Sequence, residues 1–210
     1  MFASQRNKSF ATMFIAVAAF GSLSVAAQNK AAAPQQNPTM FAAVDNRVNA
    51  ADPMVGGHQM YASKDIMDNA MNSADHTTLV TAIKAAGLVE TLKGTGPFTV
   101  FAPTNEAFAK LPTGTVDTLL KRDNRAMLSK ILTYHVVSGS LSVADLEKQI
   151  KAGNGSAELK TISGGTLIAT RQGSDIILKD EKGNLSRVSI PDVFQSNGVI
   201  HVVDSVMQPN

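Results

Sequence analysis

Residues 98–108 read FTVFAPTNEAF and combine a short apolar strand with the start of a helix. Alternate side chains of a strand point to opposite faces, so Phe98 and Val100 share one face while Thr99 and Phe101 share the other. Bulky side chains on both faces are typical of a strand that lies inside a protein core. The stretch therefore predicts a buried strand at the centre of the fold.

The same stretch contains the signals that end this strand and begin the helix. Pro103 ends the strand because proline cannot donate a hydrogen bond to a neighbouring strand. Thr104 is a preferred N-cap residue, and Glu106 places an acidic side chain in the first turn. Phe108 would lie on the buried face of a helix that stops before Pro112. We therefore expect a direct transition from strand to helix at residue 104.

The residues before this stretch have the spacing of short helices. Ser63 is suited to cap a first helix, and Asp75 to begin a second one. Gly87 stands where a glycine ends many helices, and Leu88–Leu92 has the length of a further helical turn. The region upstream of the central strand is therefore predicted to be helical.

Helical spacing continues on the other side of the stretch. Thr115–Leu120 predicts one turn of helix, and Asp123 is suited to cap a longer one. Ser142 with Asp145 three residues later approximates a capping box, in which each side chain bonds the other residue's backbone amide. Two more helices are expected after the short turn.

From Glu158 onward the pattern changes to β. Glycine and asparagine turns separate short segments that are rich in branched residues, which is typical of a hairpin meander. Helices followed by a sheet indicate the α+β fold class. The predicted strands are Leu159–Ile162, Thr166–Arg171, Asp175–Asp180, Leu185–Ile190 and Gly198–Met207.

Residues 1–27 have the pattern of a cleaved export signal. Arg6 and Lys8 give a positive start, Phe10–Leu23 is mostly apolar, and small residues up to Ala27 provide a cleavage site. The apolar run is about 14 residues, whereas a transmembrane helix needs about 20. We therefore predict export to the periplasm or the extracellular space without a stable membrane anchor. An uncleaved anchor is the alternative.

Residues 28–62 are predicted to form a flexible tether, and residues 63–210 the folded domain. The stretch from Gln28 to Met40 is mostly alanine, proline, glutamine and asparagine. Such a composition offers too little apolar surface to compensate for the lost chain entropy. A tether of this length would let the domain reach away from its point of secretion.

The charge balance argues against binding to nucleic acid. The chain has 19 basic and 17 acidic residues, and the removal of Arg6 and Lys8 with the signal leaves 17 of each. A nucleic-acid-binding protein needs a basic excess or stripe, whereas lysine and arginine here alternate with acidic residues. The chain also lacks cysteine, which excludes thiolate nucleophiles, zinc–thiolate sites and iron–sulfur clusters.

Three segments together resemble a fasciclin domain. Residues 98–108 are similar to the strand-and-helix signature of the family, and Tyr134-His135 to its tyrosine–histidine pair. Residues 196–204, SNGVIHVVD, resemble its closing strand. The order and spacing of the segments also agree, and the resemblance covers about residues 64–208.

The resemblance implies a wedge-shaped β-sandwich with several helices packed along it. It also implies residence outside the cytoplasm, adhesion or matrix contact, and no catalytic activity. On this basis the matching motif residues are expected to be structural. They are Phe98, Val100, Phe101, Pro103, Thr104, Phe108, Asn197, Gly198, His201 and Asp204.

Tyr134 and His135 have two interpretations. In animal members of the fasciclin family this region has been linked to integrin binding, which makes both residues candidates for a binding site. The alternative is a buried histidine held by hydrogen bonds, which joins the end of a helix to the sheet. No nucleophile or second carboxylate lies nearby in the sequence, which favours the structural interpretation. His201, placed among apolar strand residues, is likewise expected in the core.

A group of methionine and histidine residues raises the question of copper. Thioether and imidazole ligands suit copper(I), yet methionine at helical spacing more often fills the core. We expect no metal site and no cofactor. The residues concerned are Met54, His58, Met60, Met67, Met71 and His76.

The sequence contains no motif of a hydrolase or a phosphate-binding loop. We therefore expect an adhesion or binding module, not an enzyme, that contacts a surface protein or polysaccharide. The alternative is a carrier of a small apolar ligand in a crevice between helices and sheet.

Overall fold

A computed structural model of the chain describes residues 52–210. The predicted export signal and residues 28–51 of the predicted tether lie outside this range. Within it, no helix has both the length and the apolar character that a membrane span requires.

Seven α-helices lie in the described part, and several begin and end as the sequence predicts. Thr104 and Ser142 cap their helices through side-chain oxygens, and Ser142 forms a full capping box with Asp145. Gly87 ends α2 in the left-handed conformation, φ 72°. The helices are α1 Ile66–Ala70, α2 Thr77–Ala86, α3 Val89–Lys93, α4 Asn105–Ala109, α5 Thr115–Leu119, α6 Arg125–Tyr134 and α7 Val143–Ala152.

Three predicted helix starts differ from the structure. Asp65 caps α1 in place of Ser63, since its carboxylate accepts from the Asp68 amide at 2.7 Å. Asp75 and Asp123 lie in short 3-10 turns that precede α2 and α6. The first backbone amides of a helix are free, and an acidic side chain can accept from them at more than one position. The type of residue alone therefore did not determine where each helix begins.

The folded domain also begins earlier than residue 63. The strands β1 Met54–Val55 and β2 His58–Gln59 form a small hairpin. Val55 and Met60 are buried in the main core, with 3% and 2% of their surface exposed. The predicted tether boundary is therefore wrong by about ten residues, because two apolar side chains are enough to dock this hairpin.

A seven-stranded sheet follows the helices and confirms the α+β class. Its order is β4-β3-β9-β8-β7-β6-β5, antiparallel except that β3 and β9 run parallel. The short strand β4 was not predicted, and β8 continues past Ile190 with register shifts between Val188 and Val193. The strands are β3 Phe98–Pro103, β4 Val136–Ser138, β5 Ser156–Lys160, β6 Thr166–Gln172, β7 Asp175–Lys179, β8 Leu185–Gln195 and β9 Gly198–Val203.

The sheet curls until its two edge strands meet. Val137 of β4 pairs with Thr161, which follows β5, and the Ile162 amide donates to the Val136 carbonyl at 2.7 Å. Closure leaves no long open edge at this side, so the strands are protected from pairing with another chain.

Two apolar clusters fill the domain, and β3 contributes to both. The helix-side cluster contains Val100 together with buried residues of α1, α2 and α6, among them Ile66, Ile83 and Leu132. The sheet-interior cluster contains Phe101 and at least one residue from each of the seven strands. The central strand is buried on both faces as predicted, and it joins the two clusters.

Candidate functional site

Tyr134 and His135 lie at the junction of α6 and the sheet. Tyr134 is fully buried, and its hydroxyl donates to the Thr166 carbonyl at 2.8 Å and accepts from the Glu181 amide at 3.1 Å. Burial raises the pKa of Tyr134 to about 12. A tyrosine with both hydrogen bonds made to the backbone is a structural link between α6 and the hairpins of the sheet.

His135 is 3% exposed and uses both ring nitrogens. Nδ1 donates to the Ile131 carbonyl at 2.8 Å, and Nε2 accepts from the Met207 amide at 3.0 Å. An amide N–H can only donate, so the ring must be neutral with its proton on Nδ1. Burial lowers the pKa of His135 to about 4, in agreement with this assignment. Neither residue of the pair reaches the surface to contact a partner.

His201 is a second buried histidine that hydrogen-bonds to backbone groups distant in sequence. Its Nε2 donates to the Leu141 carbonyl at 2.8 Å, and its Nδ1 accepts from the Asp192 amide at 3.2 Å. The ring stacks on Phe101 with 5.6 Å between centroids. Burial lowers the pKa of His201, and the ring is fully enclosed. His201 is therefore a core residue, as expected from its apolar neighbours.

Asn197 connects β9 to the helices through three hydrogen bonds. Its Oδ1 accepts from the Ile66 amide at 3.0 Å, and its Nδ2 donates to the carbonyls of Leu92 and Gly94 at 2.8 and 3.0 Å. The next residue, Gly198, faces Phe98 of β3 so closely that a Cβ there would overlap the Phe98 carbonyl. This pair of residues therefore sets the parallel contact between β3 and β9.

The remaining motif residues lie at the other end of the parallel pair of β3 and β9. Pro103 pairs with Val203, and the Thr104 side chain accepts from the Ala107 amide at 3.2 Å. Phe108 is buried in the helix-side cluster. Asp204 accepts from the Arg187 amide at 2.9 Å and lies 3.7 Å from the Lys110 ammonium. These residues hold adjacent elements together, and none of them forms a reactive cluster.

The methionine and histidine group is divided between core and surface. Met60, Met67 and His76 are buried, whereas Met54 and Met71 are 61% and 42% exposed. Within residues 52–210, no cluster of three histidine, aspartate or glutamate side chains has metal-binding geometry. Met60 and Met67 belong to the helix-side cluster, where methionine fills irregular gaps.

Between the helices and the sheet lies the crevice that a carrier would use. It is lined by apolar residues of α2, α3, α6 and β3, among them Ile83, Leu92 and Leu132. Its volume is about 30 Å³, roughly the space of one water molecule. The crevice is too small for an organic ligand.

A larger depression, which we call the C-terminal groove, lies between α5, α6 and the last residues. Its volume is about 280 Å³, close to the lower limit for small-molecule sites. Two lysines stand among its mostly apolar walls. The lining residues are Leu111, Thr115, Leu119, Met127, Lys130, Ile131, Lys182, Val206, Gln208, Pro209 and Asn210.

Comparison with known proteins identifies the fold. A sequence profile of the fasciclin domain matches residues 74–209. The chain belongs to the fasciclin domain family. Protein sll1483 of Synechocystis is 44% identical over 146 residues, which cover 69% of this chain and 73% of the relative. Immunogenic protein MPB70 of Mycobacterium bovis is 36% identical over 145 residues, which cover 67% and 66%.

A solved structure of a fasciclin domain pair shares the fold. The pair comes from the insect cell adhesion molecule fasciclin I, and the two structures superpose with a TM-score of 0.60 at 20% identity. The match covers 68% of this chain and 50% of the insect chain. The hydrogen bonds of Asn197, His135 and His201 explain what the fasciclin motifs do in this chain: they join distant elements.

The C-terminal groove was not predicted from the sequence. It forms because Met127 and Lys130 of α6 come to lie beside Gln208 and Asn210. No local pattern indicates this approach, since about 80 residues separate the two segments. Met127 and Lys130 are three residues apart in α6, so the helix places them next to each other on one face.

Proposed function

We propose that this fasciclin domain is an exported, non-catalytic module that adheres to a protein or glycan at the cell surface or in the matrix. The observation that carries the proposal is that three side chains suited to acid–base chemistry are buried and hydrogen-bonded. Tyr134, His135 and His201 are buried, and their polar atoms are bonded to backbone groups. No nucleophile stands beside a free base at any of these three residues. The Ser73 hydroxyl does bond His76 Nδ1 at 2.8 Å, but both residues are buried, with 2% and 3% of their surface exposed.

Two further points support adhesion. The insect protein with the same fold is named a cell adhesion molecule. The chain without its predicted signal carries equal numbers of acidic and basic residues, so a partner would be recognised by surface complementarity more than by long-range charge. Both points concern how the domain would bind. The proposed partner is a surface protein or a polysaccharide.

The first test measures retention of the purified full-length mature chain on cell-envelope, matrix and polysaccharide preparations. We expect retention that falls only modestly as sodium chloride is raised, because few charges contribute. A variant that lacks residues 28–51 should bind equally well, since every described element remains. Circular dichroism and thermal unfolding of this variant control for folding.

Two outcomes would contradict the proposal. Loss of all binding without residues 28–51 would place the function in that segment. Absence of retention on every surface would argue against adhesion as a whole. Export is tested separately by mass spectrometry of the mature N-terminus, which we expect at or next to Gln28; an intact Met1 in the membrane fraction would contradict it.

A carrier that uses the crevice between helices and sheet is not favoured by the structure. The volume of about 30 Å³ excludes a small organic molecule unless α2 and α6 separate. Those two helices pack directly on the helix-side cluster through Ile83 and Leu132.

A further inference from the structure

The segment between α4 and α6 differs from the rest of the domain in its burial. Residues 109–127 include no buried residue, and no other run of this kind in residues 52–210 is as long. Among the seven helices of that range, α5 is the one without a buried residue. A short helix that buries little apolar surface gains little stability from tertiary packing.

The hydrogen bonds of this segment are local. The Thr118 amide donates to the Gly114 carbonyl at 3.0 Å, and the Asn124 side chain donates to the Thr118 carbonyl at 2.7 Å. Within the described part of the chain, no hydrogen bond or ion pair joins residues 112–123 to a residue outside 109–127. Polar contacts therefore do not hold the middle of the segment against the domain.

The inner side of the segment is apolar. Its large side chains are half-buried and pack against the helix-side cluster without becoming part of it. Two of them, Leu111 and Leu119, also line the C-terminal groove, so the segment forms one wall of that groove. The four side chains are Leu111, Val116, Leu119 and Leu120.

Two cationic side chains fix the ends of the segment. Lys110 Nζ donates to the Asp204 carbonyl at 2.6 Å, and Arg125 Nε donates to the Ala86 carbonyl at 3.1 Å. Residues 111–124, which we call the α5 flap, lie between these two anchors and are attached mainly by the packing of their apolar side.

We propose that the α5 flap opens as a unit while the remainder of the domain stays folded. Four half-buried side chains hold the flap less firmly than the buried residues hold α2 and α6, so it opens at a free energy well below that of global unfolding. Opening removes the wall formed by Leu111 and Leu119 and joins the C-terminal groove to the apolar surface under α5. The population of the open flap then determines how much of this surface is accessible. The flap does not depend on the proposed adhesion, because it is a property of the chain alone.

Native-state hydrogen exchange of the full-length mature protein tests the flap. After correction for intrinsic rates, we expect the amides of Thr118 and Leu120 to exchange at least about 100-fold faster than those of α2 and α6. Low concentrations of urea should accelerate both amides with a shared slope that lies above zero and below the slope for global unfolding. Fraying of a single helical turn exposes very little surface and would instead give a slope near zero.

Two glycine variants distinguish opening of the flap from a general loss of stability. Gly114 lies at the start of the flap with φ 81°, and a Cβ there would have no neighbour within 4 Å. Gly114→Ala disfavours this left-handed conformation, and hence the closed flap, so exchange of the Thr118 and Leu120 amides should accelerate about fivefold or more. The matched control is Gly173→Ala between β6 and β7, where φ is 62° and a Cβ is equally free. It should leave the exchange of the flap amides unchanged.

The dye 8-anilinonaphthalene-1-sulfonate, which fluoresces on exposed apolar surface, tests what opening uncovers. Its fluorescence should be higher with folded Gly114→Ala than with the wild type or Gly173→Ala. Four results would overturn the proposal: equal protection of the flap and of α2 and α6, a urea slope of zero for the flap amides, equal acceleration of these amides by Gly173→Ala, or no gain in dye fluorescence with Gly114→Ala.

Discussion

His135 and His76 are both about 3% exposed, yet their surroundings differ. His135 lies where the sheet closes and has a backbone partner at each ring nitrogen. His76 lies in the helical region, where Nδ1 bonds the Ser73 hydroxyl at 2.8 Å and Nε2 has no hydrogen-bond partner. Burial lowers the pKa of His76, and the backbone of Ala102 offsets part of this effect.

From this difference we expect that burial alone does not make a histidine important for stability. A buried polar group stabilises the fold when its partners are complete, and costs free energy when one is missing. His135 also joins residues 72 positions apart, whereas His76 bonds a residue three positions away. We therefore expect the two regions to respond differently to substitution and to acid.

The largest effect is expected from His135→Ala. The substitution leaves the Ile131 carbonyl and the Met207 amide without these partners and enlarges the crevice between the helices and the sheet, which His135 lines. We expect a loss of about 3 kcal/mol in the free energy of unfolding, measured by chemical denaturation. A loss below about 1 kcal/mol would show that the two hydrogen bonds contribute little. His135→Gln, which keeps a donor and an acceptor, should recover part of the loss.

Acid should destabilise the domain through the same residue. Burial lowers the pKa of His135 to about 4, below the usual value of 6.5, so the unfolded chain binds a proton first as pH falls. Stability is therefore complete above pH 6.5 and decreases towards pH 4, by about 2–3 kcal/mol for this group. His76 and His201 add to the loss, since burial lowers the pKa of each.

The measurement compares the wild type with His135→Gln at neutral pH and near pH 4.5. The variant should lose less stability on acidification, because it lacks the group whose protonation breaks the bond to Met207. An equal loss in both proteins would assign the acid response to the other histidines or to carboxylates.

A smaller effect is expected at His76. The double variant Ser73→Ala with His76→Met removes both partners of the hydrogen bond and the unpaired Nε2 together. Replacing both partners by apolar groups of similar size can be nearly neutral, so we expect a change within about 1 kcal/mol of wild type. Thermal unfolding measures the change, and a loss as large as that of His135→Ala would contradict the comparison.

The smallest effect is expected at His58, which is exposed and whose side chain hydrogen-bonds the Gly56 carbonyl at 3.1 Å. His58→Ala should change the free energy of unfolding by less than about 0.5 kcal/mol. A larger loss would mean that the hairpin of β1 and β2 supports the core more strongly than the burial of Val55 and Met60 indicates.

Local signals predicted much of this fold correctly. Thr104, Ser142 with Asp145, and Gly87 act as caps where the sequence places them. The buried strand at residues 98–103 was also predicted, because its alternating bulky side chains need a core on both faces. Predictions that depended on weak local evidence were less accurate: the caps at Ser63 and Asp123, and the domain boundary at residue 63.

The sequence by itself therefore determined most of the helices and strands, the α+β class and the family, because capping, side-chain period and motif spacing are properties of neighbouring residues. Only the tertiary structure decided the parallel pairing of β3 with β9, the closure of the sheet and the C-terminal groove. Each of these depends on contacts between segments far apart in the chain. Their hydrogen bonds, such as those of Asn197 and His135, form only once both segments are already packed.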